Sequence, residues 1–381
     1  MTRFFTMIVL SLSLAYTNLF TLNAHAQTVS LTEGDHQITV KIADEEFTTF
    51  QTDPKFPKPF FAPVRGPGGT VLSRPIVGLD ANPADMLDHV HHKGIWLSVD
   101  EINGNQHWAE KSKIVNVSTK VVTAIGNPAI LDVVNHWVDL EGKNVVTEST
   151  QIKIFANRLV TYDITFSAGD QMVIFEDTKE GLFGFRMVDS MREKVGGRVT
   201  NADGLKGTAE CWGKTSAWVD YCGEVDGKTF GVAIFDHPMN FRPSRYHVRD
   251  YGLFSVSPFG EKAYTNGAKP AEPAMIPAGG TLRLRYGMFF HTGETADADV
   301  DGVYRNYLSG NVPGADQGVP PANDIVPESS DNSDTAPPVE SKSTENVDES
   351  DTAVEESECE DDDDCDCCGR GKRRLRRCRG C

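Results

Sequence analysis

The chain has 381 residues, 39% of them apolar, and a formal net charge of −18. Residues 314–381 carry 19 acidic and 8 basic side chains against 36 and 29 in the rest. The body of the chain is therefore only mildly acidic and lacks the basic footprint of a nucleic-acid binder. After the N-terminal leader no segment approaches the roughly 18 consecutive apolar residues of a transmembrane helix.

The chain opens with the pattern of a secretory signal peptide over residues 1–26. Arg3 supplies the positive end, Met7 to Leu22 the apolar stretch, and Ala24-His25-Ala26 a small-x-small cleavage site before Gln27. This predicts a secreted or periplasmic protein. Folded-type sequence then fills residues 27–310. In Val160 to Phe166 apolar and polar side chains alternate strictly, the signature of a half-buried strand, and Leu282 to Tyr286 repeats it. Further strands are predicted over His36 to Ile42, Ile95 to Val99, Lys113 to Ala124, Val133 to Leu140, Val145 to Phe155, Met172 to Glu176 and Thr229 to Phe235. Turn signals such as Gly126-Asn127-Pro128 and Asp226-Gly227-Lys228 separate them. Many short strands with almost no helix between them predict an all-β fold, a large antiparallel sandwich or barrel. One short helix is predicted near the end, Ala296 to Ser309, stopped by Gly310.

Residues 311–358 read as a disordered acidic linker, because Pro, Ser, Thr, Asp and Glu cannot bury enough apolar surface to offset ordering entropy. Residues 359–381 form a tail in which six cysteines accompany an acidic block and then a basic one. The tail is suited to attachment to a surface or to other chains; its cysteines lack the paired spacing of zinc sites. The remaining two, Cys211 and Cys222, are spaced to permit a hairpin disulfide or to stand as separate buried thiols.

Titratable side chains concentrate in three places. Asp88-His89-Val90-His91-His92-Lys93-Gly94-Ile95-Trp96 carries three histidines in four positions. If that stretch is extended, His89 and His91 point to one side, a weak candidate metal pair, and Asp88 and His92 to the other. Phe235-Asp236-His237-Pro238 leads into a segment with Arg242, Arg245, His247 and Arg249, where guanidinium forks beside aromatic rings suit carboxylates or sugar hydroxyls. Glu176-Asp177-Thr178-Lys179-Glu180, with Arg186 downstream, offers paired carboxylates for general acid–base work or simply a polar turn. Trp96, Trp108, Trp137, Trp212 and Trp218 suit either core packing or stacking on sugars.

At these same residues the chain resembles a bacterial PmoA-like family, labelled "methane oxygenase PmoA", with no assigned function. The resemblance is carried by Phe60-Phe61-Ala62-Pro63-Val64-Arg65-Gly66-Pro67, Asp88 to Trp96, Asn103-Gly104, Asp177 to Gly181 and Ala209-Glu210-Cys211-Trp212-Gly213. It continues through Phe235 to Pro238, His247 to Phe254 and His291-Thr292-Gly293. It spans roughly residues 50–295 and leaves out the tail. A membrane methane oxygenase subunit needs several transmembrane helices, which this sequence lacks, so the label is a misnomer. What the resemblance implies is a β-sandwich similar to that of sugar mutarotases, in a carbohydrate-related setting.

Three functions follow as expectations. The first is an exported enzyme acting on a carbohydrate or sugar-derived substrate. His92, His237 and His247 would be its acid–base groups, Glu180 and Asp236 would assist, and Arg186, Arg245, Arg249 and Trp96 would bind substrate. The second is a non-catalytic glycan-binding module. The third is a metal-dependent oxidoreductase built on His89 and His91. No cofactor is assigned by the sequence.

Overall fold

A computed structural model describes residues 28–82 and 88–316. The segment expected to be a signal peptide, most of the segment read as an acidic linker, and the cysteine-rich tail lie outside the described residues. Alternation dictates the longest strands as expected. In Leu159–Ser167 every second side chain from Val160 to Phe166 is buried, and its neighbours Asn144–Ile154 and Thr281–Thr292 pair with it in antiparallel register. One sheet has eight strands in the spatial order Arg198–Asn201, Trp218–Val225, Lys228–Asp236, Thr281–Thr292, Leu159–Ser167, Asn144–Ile154, Ala129–Val138 and Ile114–Thr123. A second has nine, ordered Arg245–Val248, Leu253–Ser257, Phe183–Arg186, Ile95–Leu97, Phe60–Phe61, Glu45–Gln51, Gln37–Ile42, Val29–Gly34 and Ile125–Gly126. A small four-stranded sheet includes Val173–Phe175 and Ala274–Ile276.

The two large sheets face each other, which selects the sandwich over the barrel. Aromatic rings interlock between them: Phe185 and Phe47 meet Phe290 edge-on at 5.3 and 5.7 Å, and Tyr162 meets Phe183 at 4.6 Å. Each sheet also carries a smaller apolar cluster on its outer face. On the eight-stranded sheet it comprises Phe155, Leu159, Trp218, Ala233, Phe235 and Phe289, covered by the helix Val300–Ser309. On the nine-stranded sheet it comprises Phe56, Phe60, Ala62, Ile76, Trp96, Trp108 and Leu253, covered by loops.

The helix starts four residues later than the sequence suggests, because Asp299 caps it by accepting from the Gly302 N–H, and Gly310 ends it in the left-handed conformation. The chain stays packed beyond residue 310. Val312 is buried, and the Asp316 carboxylate accepts from the Asn127 N–H at 2.7 Å. Cys211 and Cys222 are free, separate buried thiols; the first points to the Leu205 carbonyl and the second to Asp220, so the hairpin disulfide does not form. Among the described residues no helix is long and apolar enough to cross a membrane.

Candidate functional site

Strand register builds the site on the outer face of the nine-stranded sheet. Residues paired side by side across a sheet share a face. Trp96 pairs with Gly184, Gly184 with Ser255, and Ser255 with His247. Their sequence neighbours Ile95, Phe185, Phe254 and Val248 lie in the core, so this row points outward. One pleat along, Gly94, Arg186, Leu253 and Arg249 form a parallel row through Arg186 N–H to Gly94 and Arg249 N–H to Leu253. Gly184 is the reason the floor is flat: a Cβ there would lie 2.8 Å from the Trp96 indole.

On that floor stands a column of four rings. Trp96 stacks on His92 at 5.4 Å and 16°, His92 on His89 at 4.9 Å and 13°, and His89 on Tyr251 at 5.1 Å and 12°. The histidine segment is therefore a turn and not an extended strand. The His92 N–H returns to the His89 carbonyl, and His89 sits at φ 41°. Arg74 clamps the turn, donating to the Asp88 carboxylate at 2.5 Å and to the His89 carbonyl at 2.8 Å. His89 and His91 meet edge to face with centroids 5.7 Å apart, and among the described residues no group of three potential metal ligands includes either of them.

Arg186 connects column and sheet. It is 1% exposed, donates to the Asp88 carboxylate at 3.0 Å and to His92 Nδ1 at 3.1 Å, and lies 4.7 Å under the Tyr251 ring. Burial pushes the Asp88 carboxyl up, but Arg186 and Arg74 more than offset this and hold it well below the usual range. A guanidinium can only donate, so His92 Nδ1 accepts and the ring proton sits on Nε2. That Nε2 is buried without a hydrogen-bond partner in the protein. Burial, then His91 and Arg186, drive the His92 pKa far below its ordinary value, so the ring is neutral.

His247 has the opposite tautomer. Its Nδ1 lies 3.2 Å from the Lys179 carbonyl, an acceptor, and 3.5 Å from the Glu180 carboxylate, so Nδ1 carries the proton and Nε2 the lone pair. Burial, then Arg249 and Lys179, push its pKa down to about 3. Trp212 and Tyr264 wall it at 6.3 and 6.1 Å. Around the two rings the buried Trp96 Nε1, Ser98 Oγ, Trp212 Nε1 and Ser255 Oγ also find no partner within the protein. Such a concentration of orphaned polar groups is atypical of a packed interior. Beside the column Lys58 and Lys93 share the Glu110 carboxylate at 2.9 and 2.8 Å, and burial pushes the Lys58 amine down to about 8.

Of the residues singled out from sequence, His89, His91, His92, Trp96, Glu180, Arg186, His247 and Arg249 gather here. Among them Trp96, 1% exposed, serves as floor and not as an open stacking surface. Others do not gather there. Arg245 is consumed by a bidentate pair with Glu261 at 2.7 and 2.8 Å and by the Gly213 carbonyl. His237 packs on Tyr307 of the helix covering the other sheet, and Asp236 is buried against Ser244 and Asn240. Strand Lys228–Asp236 belongs to the eight-stranded sheet, which is why both leave the site. Asp177 caps the turn Glu261–Tyr264 through the Lys262 and Ala263 N–H groups, so the expected paired carboxylates are split. Tyr251, Arg74 and Ser255 were not singled out as site residues. Trp212, expected to be either a core or a sugar-stacking ring, is half-buried where the other four tryptophans are buried.

Among the described residues one three-ligand group could hold a metal ion, Asp220, Cys222 and His291, and it lies on the eight-stranded sheet.

Residues 37–305 match the profile of a family described as a family of unknown function, DUF6807. No curated protein matches the sequence. Among solved structures, an alpha-galactosidase from Lactobacillus brevis is similar at 10% identity and a TM-score of 0.39, over 74% of this chain and 42% of that one. The GH36 alpha-galactosidase AgaA from Geobacillus stearothermophilus is similar at 8% identity and a TM-score of 0.34, over 69% and 40%. A putative aldose 1-epimerase from Klebsiella pneumoniae is similar at 8% identity and a TM-score of 0.35, over 74% and 87%. The chain thus spans about two fifths of the galactosidases' length. Likenesses this distant carry no argument about the site.

Proposed function

The chain belongs to the DUF6807 family, whose function is unknown, and from that premise we propose that the outer face of its nine-stranded sheet binds a carbohydrate or sugar-derived substrate and moves protons on it. The observation that carries this reading is the pair of neutral histidines with opposite tautomers. His92 offers an Nε2–H and His247 an Nε2 lone pair, which are the acid and the base of a two-proton exchange. Glu180 stabilises the imidazolium that forms when His247 takes a proton. Arg249, 5.6 Å over the Tyr251 ring, and the half-buried Trp212 supply the cation and the apolar face that sugar acids and sugar rings need. The unpartnered Trp96, Trp212, Ser98 and Ser255 atoms match a ligand rich in hydroxyls.

The test is a screen of sugars and sugar acids for binding and turnover, run on the wild type and on His247→Ala and His92→Ala. Catalysis predicts turnover that falls at least about a hundredfold in His247→Ala with binding retained. Binding that survives with no turnover of any substrate leaves a glycan-binding module. That second reading is favoured by the 2% exposure of both histidines. No binding by the wild type defeats both. Export is part of the same proposal: the mature chain is expected to begin at Gln27, which N-terminal sequencing of secreted material checks.

A further inference from the structure

The outer face of the eight-stranded sheet, on the far side of the core, holds a second cluster that the proposed activity does not use. Cys222 pairs with Gly231 and Gly231 with His291, so the cysteine and histidine flank a glycine on one face. Asp220 lies two residues from Cys222 on the same face. The glycine makes the room: a Cβ at position 231 would lie 2.2 Å from the His291 Cε1 and 3.0 Å from the Cys222 Sγ. All three side chains are buried, with Asp220 wholly so. Asp220 is 3.1 Å from His291 Nε2 and 3.2 Å from Cys222 Sγ, and the Thr295 hydroxyl donates to it at 2.6 Å.

We propose that Asp220, Cys222 and His291 form a zinc-class divalent metal site that joins strands Trp218–Val225 and Thr281–Thr292 across Gly231. Three independent features carry this. The three ligand atoms lie within 4.8 Å of one another. Zinc bound at about 2.0–2.3 Å sets its ligands about 3.3–3.7 Å apart, so the two separations from Asp220, 3.1 and 3.2 Å, need to open by only a few tenths of an ångström. The donor set of one thiolate, one imidazole and one carboxylate fits zinc and excludes the hard, all-oxygen preference of calcium or magnesium. The remaining ring nitrogen, His291 Nδ1, faces the Thr292 carbonyl at 3.4 Å, the outer partner that orients a metal-bound histidine. The Thr295 hydroxyl, 3.9 Å from Cys222 Sγ, borders the fourth position, which it or a water fills. Without metal, the Cys222 thiol and His291 Nε2 both direct their protons at Asp220; binding releases the thiol proton to solvent, and the His291 ring takes the ion at Nε2 with its own proton relocated to Nδ1, facing the Thr292 carbonyl.

The full chain also contains the tail cysteines, so the test is a difference measurement. Chelator-stripped wild type and Cys222→Ser are each loaded with Zn²⁺ and with Co²⁺. The wild type is expected to retain one more zinc per chain after dialysis and to melt at higher temperature with zinc. Its cobalt form is expected to gain thiolate-to-metal absorption beyond that of Cys222→Ser. Equal zinc stoichiometry and equal cobalt spectra in the two chains overturn the proposal. Should Cys222→Ser not fold, crystals of zinc-loaded wild type decide. An anomalous peak between Asp220, Cys222 and His291 supports the site, and its absence at full loading removes it.

Discussion

Arg186 holds together groups that would otherwise not tolerate burial. Its guanidinium satisfies the Asp88 carboxylate, fixes the tautomer of His92 and lies against Tyr251. Arg186→Met keeps much of the volume but leaves His92 Nδ1 buried without a donor. Asp88 is half exposed and retains Arg74, so the loss is smaller than for a fully buried ion pair, about 2 kcal/mol in a urea titration. The histidines set the acid limit of stability. His91 and His247 are pushed down to about 3 and His107 to about 4, in each case first by burial. In the unfolded chain the same rings titrate near ~6.5. Between these limits the unfolded state binds more protons, so stability is present above about pH 6.5 and is lost as the pH falls toward 3. His247→Gln removes one such proton. It should flatten the pH dependence of unfolding by up to about 1.4 kcal/mol per pH unit in that window, as denaturation at a series of pH values would register. Sequence alone located these residues, because histidines and arginines clustered between strand signals are conspicuous. It did not separate His92 and His247 from His237, since that depends on which sheet each strand joins. Nor did it anticipate stacking, because the extended geometry assumed for residues 88–92 is replaced by a turn that Arg74 holds from fourteen and fifteen positions upstream.

Strands were legible where one face meets the core and the other meets water. Leu159–Ser167 and Thr281–Thr292 contain the alternating stretches Val160 to Phe166 and Leu282 to Tyr286. Phe183–Arg186, Leu253–Ser257 and most of Trp218–Val225 are buried on both faces, so no alternation marks them, and they are absent from the predicted strands. Phe183–Arg186 and Leu253–Ser257 are among the strands that carry the site, because the residues that bury their outer face include His92, Trp96 and Tyr251. Gly184 shows how tightly that layer is fitted. Gly184→Ala would drive a methyl into the Trp96 indole, tilting the floor under His92. The expected cost is about 1–3 kcal/mol of stability, with weakened ligand binding and a changed tryptophan emission spectrum. Unchanged fluorescence together with unchanged stability would contradict the flat-floor geometry.

At the scale of the molecule, two outer faces are separated by one shared core. The histidine column stands on the nine-stranded sheet; Asp220, Cys222 and His291 stand on the eight-stranded one, beneath the loop that leads to the covering helix. Each face depends on a glycine that clears space for a ring, Gly184 under Trp96 and Gly231 beside His291. The side chains between them belong to a core of interlocked aromatics such as Phe183 with Tyr286 and Phe185 with Phe290. A close-packed layer transmits strain only as far as its side chains must move, and substitutions without shared partners add. Gly184→Ala and Gly231→Ala share no contacting residue, so their destabilisations should sum to within about 0.5 kcal/mol in the double variant. Gly231→Ala alone should abolish the extra zinc equivalent while leaving the affinity of the other face for its ligand within twofold. Coupling well above that bound, or a ligand affinity that falls with Gly231→Ala, would mean that the two faces act as one unit across the core.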